Sequence, residues 1–295
     1  MSQKVLITGT SSGFGELIVH GLLAKGHTVV ASMRGVDGKN ADAAAKLREA
    51  GAHVVELDVT DEASVNAGVA AAIEAAGGLD VVVNNAGVGV IGLQEDFTAE
   101  DWHRVFDVNV FGVQRVNRAA LPHLRAQGHG LLIHVSSLLG RMVLPFFGPY
   151  NATKWALEAM AENYRVELNG FGIESTVVEP GGYGTDFMAN LFKPSDTSRT
   201  ASYGPMADAP QQMVDGFEGN YDGDDAPQPE WIAESVIGLI EMERGTRPFR
   251  TVRDGLGMGP AIEALNEASE QTMQGIYSAF GMEGMLQLNT GGGEG

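Results

Sequence analysis

Near its start the chain reads Lys4-Val5-Leu6-Ile7-Thr8-Gly9-Thr10-Ser11-Ser12-Gly13-Phe14-Gly15, an apolar run followed by a glycine-rich turn. The run predicts a strand over Lys4–Thr8, and the residues after the turn predict a helix over Gly13–Ala24. Glycines allow a tight turn and a close approach of the backbone to a pyrophosphate, while a helix N-terminus offers free N–H groups. The stretch therefore predicts a strand–turn–helix unit that binds a dinucleotide. A purely structural turn is the alternative.

Short apolar runs alternate with helical segments along the next part of the chain. The predicted strands are Lys4–Thr8, Thr28–Ser32, His53–Leu57, Leu79–Asn84, Gly130–Ser136, Ile173–Val178 and, near the end, Phe249–Val252. The predicted helices between them are Gly13–Ala24, Ala41–Glu49, Glu62–Ala76, Ala99–Arg125 and Tyr150–Leu168. Near-continuous apolar strands joined by helices indicate a parallel sheet covered on both faces. The pattern predicts a Rossmann-like, doubly wound α/β fold in a single domain.

The regular alternation ends after Thr185, and the segment 186–229 is rich in proline and acidic residues. We interpret it as a substrate lid with short helices near Phe187–Phe192 and Met206–Phe217, because a loop of this length is usually functional. Helices are predicted again over Trp231–Arg244 and Met258–Phe280. We therefore divide the chain into a catalytic domain over 1–254, which contains the lid, and a helical extension with a flexible glycine-rich tail over 255–295.

The composition excludes several classes of function. The chain has 19 basic and 38 acidic residues, a net charge of -19, which argues against nucleic acid or an anionic membrane as a partner. It has no cysteine, so disulfides and thiolate chemistry are excluded, and its histidines show no metal-ligand spacing. No signal peptide or membrane-spanning run is evident, so we expect a cytoplasmic protein without a metal centre.

Tyr150 and Lys154 lie four residues apart, so both side chains project from one face of the predicted helix. A free tyrosine hydroxyl has a pKa of about 10 and is a poor acid or base at neutral pH. A neighbouring ammonium group favours the phenolate and is expected to lower this pKa. The pair therefore indicates acid–base chemistry, with a chance pair on a surface helix as the alternative.

The second predicted strand ends in Ala31-Ser32-Met33-Arg34 and has no carboxylate at its tip. An acidic residue there would bind the ribose 2′-hydroxyl of NAD, whereas an arginine favours the 2′-phosphate of NADP. Ser11 could add a hydroxyl from the neighbouring turn. We therefore expect NADP(H), and Asp37 leaves NAD(H) possible.

Seven short motifs follow one another at particular spacings. They are the Gly9/Gly13/Gly15 turn, Asp58-Val59, Asn84-Asn85-Ala86-Gly87, Asn109, Ser136-Ser137, Tyr150-x-x-x-Lys154 and Pro180-Gly181-Gly182-Tyr183-Gly184-Thr185. In this order and spacing the chain resembles the short-chain dehydrogenase/reductase family over about residues 4–252. The resemblance implies an oxidoreductase that interconverts a carbonyl compound and an alcohol with a nicotinamide cofactor.

The resemblance also implies a role for individual residues. Tyr150 matches the general acid/base of the family, and Lys154 the lysine that lowers its pKa and binds the nicotinamide ribose. Ser137, thirteen residues before Tyr150, matches the serine that holds the substrate oxygen, and Asn109 matches the asparagine of a water-mediated proton relay. The implied cofactor contacts also include Gly9, Ser11, Ser12, Gly13, Phe14, Gly15, Arg34, Asp58, Val59, Asn85, Ala86, Gly87, Pro180, Gly181, Tyr183 and Thr185.

Apolar residues on both sides of the Tyr150 motif predict the kind of substrate. They are Leu138, Leu139, Phe146, Phe147, Tyr183, Phe187 and Met188. Such a pocket favours a hydrophobic ketone or aldehyde and its alcohol, although the same residues could instead pack the lid onto the body. An NAD-dependent alcohol dehydrogenase of the same family and a non-catalytic NADP(H)-binding regulator are the alternatives. The resemblance further implies a homodimer or homotetramer that acts on a small molecule.

Overall fold

A computed structural model describes residues 2–219, 221 and 226–290; the acidic cluster at 222–225 and the glycine-rich end at 291–295 lie outside them. Within the described residues one sheet contains seven strands in the order β3-β2-β1-β4-β5-β6-β7, and every neighbouring pair is parallel. The strands are β1 Lys4–Thr8, β2 Thr28–Met33, β3 His53–Glu56, β4 Val81–Asn84, β5 Gly130–Val135, β6 Ile173–Pro180 and β7 Arg250–Arg253. The predicted parallel sheet is confirmed.

Helices cover both faces of this sheet. They are α1 Gly13–Ala24, α2 Ala41–Glu49, α3 Glu62–Ala76, α4 Ala99–Phe106, α5 Gly112–Gln127, α6 Gly148–Leu168, α7 Asp186–Ala189, α8 Ala209–Glu218, α9 Glu230–Glu241 and α10 Gly259–Ala279. Helices α1, α2 and α9 form the core on one face, and α3, α5 and α6 contribute to the core on the other. No helix in the described part of the chain is both long and apolar enough to cross a membrane.

The two cores explain why the central strands β1 and β4 carry apolar residues at consecutive positions. Along β1, Val5 and Ile7 pack into the core that contains α1, whereas Leu6 packs into the core that contains α3. Successive side chains of a strand point to opposite faces, so a sheet buried on both faces needs apolar residues at odd and even positions alike. The same alternation occurs in β4, where Val81 and Val83 pack into the core that contains α1 and Val82 packs into the core that contains α3.

The predicted helix over Ala99–Arg125 is wrong in one respect, because it divides into two helices. A π-helical turn over Asp107–Phe111 separates α4 from α5. At its centre the buried side chain of Asn109 bonds to the backbone of Val88 instead of facing solvent. A π-helical turn contains one residue more than an α-helical turn. The apolar residues of the sequence continue through this turn, so their pattern does not reveal the insertion.

After Thr185 the short elements differ from their predicted bounds. The helix predicted near Phe187–Phe192 is the single turn α7, because Phe192 leaves it to form a parallel bridge with Val90. Further along, a 3₁₀ segment over Thr200–Asp208 precedes α8.

The C-terminal helix α10 packs onto the body of the protein. Asn266 Nδ2 donates a hydrogen bond to Glu179 Oε2 at 2.5 Å, and Arg165 forms two hydrogen bonds with Glu270 at 2.7 and 3.0 Å. Ile262 of the same helix is buried. These contacts join the extension to β6 and α6, so residues 259–279 belong to the same folded unit as the sheet.

Candidate active site

A cavity of about 980 Å³ lies at the carboxyl ends of the strands. The residues that follow β1, β2, β3, β4, β5 and β6 all contribute to its lining, among them Gly9, Arg34, Asp58, Asn85, Ser136 and Gly181. Parallel strands place their carboxyl ends at one edge of the sheet, which is where ligands bind in open α/β folds. We call the part near Arg34 and Asp58 the polar end, and the part near Phe147 and Phe187 the apolar end.

The glycine-rich turn between β1 and α1 forms one wall of the cavity. Gly9 and Gly13 have φ angles of 70° and 59°, a region that side chains disfavour. A Cβ atom at Gly9 would lie 2.7 Å from Ala86 Cα, and one at Gly15 would lie 2.2 Å from the carbonyl oxygen of Gly9. Gly9 and Gly13 line the cavity together with Ser11, Ser12 and Phe14, whereas Gly15 lies beneath it.

The first turn of α1 suits an anionic group. Ser12, the N-cap residue, makes no capping hydrogen bond with its side chain. The first N–H groups of a helix have no partner within it, and the helix dipole adds positive potential there. Together with the close backbone approach at Gly9, this turn fits the pyrophosphate of a dinucleotide.

The polar end carries two cations, Arg34 and Lys39, and both are exposed. Both lie close enough to Asp58 to act on its pKa. Burial would raise that pKa, but hydrogen bonds from Thr60 and the two cations hold it below its ordinary value. Asp37 does not line the cavity. Sequence reasoning missed Lys39, although a second basic residue in the loop after β2 was a signal for it.

The loop after β4 supports the turn from behind. The Asn85 side chain donates hydrogen bonds to the carbonyl oxygens of Thr8 and Gly9, at 3.0 and 2.9 Å. The backbone N–H groups of Asn85 and Ala86 both donate to Thr8 Oγ1 at 3.1 Å. Ala86 and Gly87 line the cavity, as do Asp58 and Val59. The expected cofactor residues of this region therefore come together, with the Asn85 side chain acting as a brace for the turn.

Ser137, Tyr150 and Lys154 meet in the middle of the cavity. Tyr150 lies in the first turn of α6, and a hydrogen bond from its neighbour Ser137 acts on its pKa. Lys154 is one turn further along, with its Nζ atom 5.5 Å from the centroid of the Tyr150 ring. The Nζ atom donates a hydrogen bond to the carbonyl oxygen of Val135 at 2.8 Å. Two hydroxyls and an ammonium group thus converge where a substrate oxygen could bind.

The pKa shifts in this group differ from the expectation for Tyr150. Burial raises its pKa above the ordinary value, and the hydrogen bond with Ser137 opposes this only in part. Burial lowers the pKa of Lys154 to about 8, against the opposing effect of the Glu158 carboxylate. Burial therefore favours the neutral phenol over the phenolate, and the hydrogen bond with Ser137 favours the phenolate.

Asn109 lies next to this group but does not line the cavity. Its Oδ1 atom accepts a hydrogen bond from Val88 N at 2.8 Å, and its Nδ2 atom donates to Val88 O and to Thr153 Oγ1 at 2.9 and 3.0 Å. It therefore joins the loop after β4 to α6 at the residue before Lys154.

The segment after β6 closes one side of the cavity. Pro180, Gly181, Tyr183 and Thr185 all line it. The Tyr183 ring packs edge-on against Phe14 with centroids 5.6 Å apart, and its hydroxyl donates to the carbonyl oxygen of Arg253 at 3.0 Å. These contacts fix the segment against the glycine-rich turn.

The apolar end contains most of the predicted substrate residues. Its lining includes Leu138, Leu139, Phe147, Tyr183, Phe187 and Met188. Phe146, the remaining predicted substrate residue, does not line the cavity but packs against the same apolar cluster as Phe147 and Tyr150. Phe146 has a φ angle of 70° and its carbonyl oxygen accepts a hydrogen bond from Gly92 N, and the Phe147 side chain contributes to the wall instead. Sequence reasoning also missed Arg104 and Lys193, which line the cavity here.

Known proteins resemble this chain over most of its length. The short chain dehydrogenase family model matches residues 3–196. The uncharacterized oxidoreductase YusZ of Bacillus subtilis is 37% identical over 279 residues, which cover 90% of this chain and 93% of that protein. The 3-ketodihydrosphingosine reductase of Bacteroides thetaiotaomicron is 31% identical over 263 residues, which cover 89% and 90% of the two chains.

Solved structures have the same fold. A short-chain dehydrogenase from Streptomyces avermitilis superimposes with a TM-score of 0.74 at 27% identity, covering 95% of this chain and 98% of that one. An alcohol dehydrogenase from Thermococcus sibiricus, complexed with 5-hydroxy-NADP, has a TM-score of 0.67 at 27% identity, with 86% and 97% covered. A Burkholderia phymatum short-chain dehydrogenase/reductase in complex with NAD has a TM-score of 0.73 at 25% identity, with 92% and 95% covered. The chain therefore belongs to the short-chain dehydrogenase/reductase family of NAD(P)-dependent oxidoreductases.

Proposed function

We propose that this protein is an NADP(H)-dependent reductase of mainly hydrophobic ketones or aldehydes, which also catalyses the reverse oxidation of the alcohol. One observation carries the proposal: a single cavity joins Arg34 and the glycine-rich turn at one end to Ser137, Tyr150 and an apolar wall at the other. A cofactor bound along the turn would bring its nicotinamide toward the two hydroxyls.

Ser137 and Tyr150 are proposed to act directly on the substrate oxygen. When bound, the nicotinamide supplies the hydride for reduction or accepts it in oxidation. The two hydroxyls donate hydrogen bonds to the carbonyl oxygen and stabilise the negative charge that develops there. Tyr150 then gives its proton to this oxygen. Burial raises the pKa of Tyr150 and so favours the neutral acid, the form that donates a proton in reduction.

Lys154 and Asn109 are proposed to support the proton transfer. The bond from Lys154 Nζ to Val135 O fixes the ammonium group beside the phenol, where its charge favours loss of the tyrosine proton. Asn109 is proposed to sustain the proton relay to Lys154. In support, its Nδ2 atom donates a hydrogen bond to Thr153 Oγ1, on the residue directly before Lys154. Holding the Val88 loop is a second contribution of the same side chain.

The preference for NADP(H) is inferred from the polar end. Arg34 and Lys39 line it, and the carboxylate of Asp58 is already engaged by the hydroxyl and N–H groups of Thr60. A guanidinium group can bind a phosphate through two hydrogen bonds, and a nearby ammonium group adds to the attraction. This arrangement suits a 2′-phosphate better than an uncharged ribose.

The preference for a hydrophobic substrate is inferred from the apolar end. Phe147, Phe187 and Leu191 belong to one apolar cluster with Tyr150, so a substrate carbonyl at the tyrosine would have apolar atoms around it. The name of the Bacteroides thetaiotaomicron relative, a 3-ketodihydrosphingosine reductase, refers to a long-chain ketone and supports this substrate class.

Paired titrations of NADPH and NADH, followed by nicotinamide fluorescence, test the proposal. The tighter cofactor is then mixed with a panel of apolar ketones, and its oxidation is followed by absorbance. We expect tighter binding of NADPH and its consumption with bulky ketones. Tighter binding of NADH would refute the inference from Arg34. Binding without turnover of any carbonyl or alcohol would refute the enzyme and favour a cofactor-binding regulator.

A further inference from the structure

Two basic residues stand at the apolar end of the cavity, Arg104 on α4 and Lys193 after α7. We call them the rim pair, because both line the cavity and both are exposed. Within residues 2–219, 221 and 226–290, neither forms a salt bridge with a carboxylate. The pair therefore places two cations without a carboxylate partner among those residues at one opening, although the chain as a whole has a net charge of -19.

Phe192 contacts Arg104 through its ring and precedes Lys193 in the chain. The Arg104 guanidinium lies 4.2 Å from the centroid of the Phe192 ring, a distance typical of a cation–π contact. The Phe192 backbone is held at both ends, since its N–H donates to Gly89 O at 2.9 Å and its carbonyl accepts from Ile91 N at 3.0 Å. Lys193 follows directly in the chain, so both cations are attached to one anchored point.

Apolar side chains line the cavity on the side where the rim pair and Tyr150 lie. The Phe187 ring lies 5.5 Å from the Tyr150 ring, and Phe192 belongs to the same apolar cluster. Asp186 is the single carboxylate that lines this half of the cavity in the described part of the chain. This half of the cavity therefore has an apolar lining, and its two cations outnumber its one carboxylate. Such a lining fits a ligand with a hydrophobic body and a negative head.

We propose that the rim pair binds the anionic head of an amphipathic oxo compound whose carbonyl reaches Ser137 and Tyr150. The head is a carboxylate or a phosphate, and the rest of the substrate is an apolar chain or skeleton. Hydrogen bonds between two cations and such a head are charge-assisted, and the positive charge at this opening complements the negative head. This inference rests on the proposed reductase activity for the carbonyl, but the binding of the head can be measured without turnover.

The first experiment measures binding to the protein saturated with NADP⁺. Decanoate, decyl phosphate and the uncharged decanol are titrated by calorimetry into the wild type and into Arg104→Gln, Lys193→Gln and the double variant. We expect each single change to weaken the anions about 5- to 10-fold and to leave decanol unchanged. Comparing the affinities of decanoate and decyl phosphate shows whether the site prefers a carboxylate or a phosphate.

Matched controls remove the same charge away from the cavity. Arg118→Gln and Lys25→Gln change side chains that are 76% and 55% exposed, and neither residue lines the cavity. Both controls should bind decanoate like the wild type. Equal weakening in the controls would mean that only net charge matters, and equal affinity for decanoate and decanol in the wild type would mean that the rim pair binds no head; either result overturns the proposal. Arg104→Lys keeps the charge and should retain most of the affinity.

A second experiment separates this inference from the proposed function. Oxo-decanoates with the ketone at different positions are compared with their methyl esters as substrates with NADPH. We expect a higher kcat/KM for the acids, which the double variant loses while it keeps the rate with esters. Reduction of acids and esters at equal kcat/KM would refute the rim pair alone. Charge-dependent binding of decanoate without reduction of any ketone would refute the reductase and leave the rim pair as a binding site.

Discussion

The two ends of the cavity each carry an arginine and a lysine, but they are built differently. At the polar end Arg34 and Lys39 come from one loop after β2, among polar groups. At the apolar end Arg104 and Lys193 come from distant parts of the chain; Arg104 contacts the ring of Phe192, and Lys193 is the next residue after it. Because the neighbouring surface differs, we propose a cofactor phosphate for the pair at the polar end and the head of an amphipathic substrate for the pair at the apolar end.

The largest expected effect lies between the two ends, at Tyr150. Changing Tyr150→Phe removes the proton donor and should lower kcat by about 1000-fold or more. Binding of NADPH should change by less than about 2-fold, since the role proposed for the phenol is proton transfer and not a contact with the phosphates. Steady-state rates and fluorescence titration measure the two quantities. Turnover close to the wild type would show that another group donates the proton. It would also remove the role proposed for Tyr150 between the cofactor end and the substrate end.

A change at Gly15 should disable the polar end alone. In Gly15→Ala the new Cβ atom would lie 2.2 Å from the carbonyl oxygen of Gly9, so the turn must shift. We expect NADPH to bind about 100-fold more weakly, while decanoate still binds at the rim pair.

Gly238→Ala is the matched control for that change. Gly238 lies inside α9, and a Cβ atom there would meet nothing within 4 Å. Cofactor binding should stay at the wild-type level, and thermal stability should rise slightly, because alanine favours a helix. An equal loss of NADPH binding in both variants would contradict the role of the close approach at Gly15.

Removing the charge of Arg34 should change the affinity of the polar end for NADPH far more than its affinity for NADH. Arg34→Ala is expected to weaken NADPH about 10- to 30-fold and NADH by less than about 2-fold. Arg48→Ala, which removes an exposed arginine of α2 outside the cavity, serves as the control. Equal losses for the two cofactors would refute a contact between Arg34 and the 2′-phosphate.

The pH dependence of reduction should show the state of Lys154. Burial lowers its pKa to about 8, so the ammonium is charged below that pH and loses its charge as the pH rises through it. We expect kcat/KM for ketone reduction to fall above pH 8 by up to about 10-fold per pH unit. Tyr150 should not limit the rate in this range, because burial raises its pKa. A rate that stays constant up to pH 10 would mean that the charge of Lys154 is not needed.

Much of the fold and of the site could be predicted from local patterns. The strand bounds follow from apolar runs ended by glycine, asparagine or proline, and β1 agrees at both ends with its prediction. The spacing of Gly9, Gly13 and Gly15 and the separation of Tyr150 from Lys154 are properties of a turn and of a helix. Such patterns are readable because neighbouring residues alone determine the backbone periodicity.

What the sequence by itself determined is therefore the parallel α/β fold, the family motifs and the placement of the hydroxyls and the ammonium at one edge of the sheet. Only the tertiary structure decided that Phe147, and not Phe146, lines the cavity, and that Arg104 contacts the ring of Phe192, the residue before Lys193. It also decided the direction of the pKa shift of Tyr150. The reason is physical: burial and long-range packing depend on residues far apart in the chain, and they set which charges are solvated and which side chains meet.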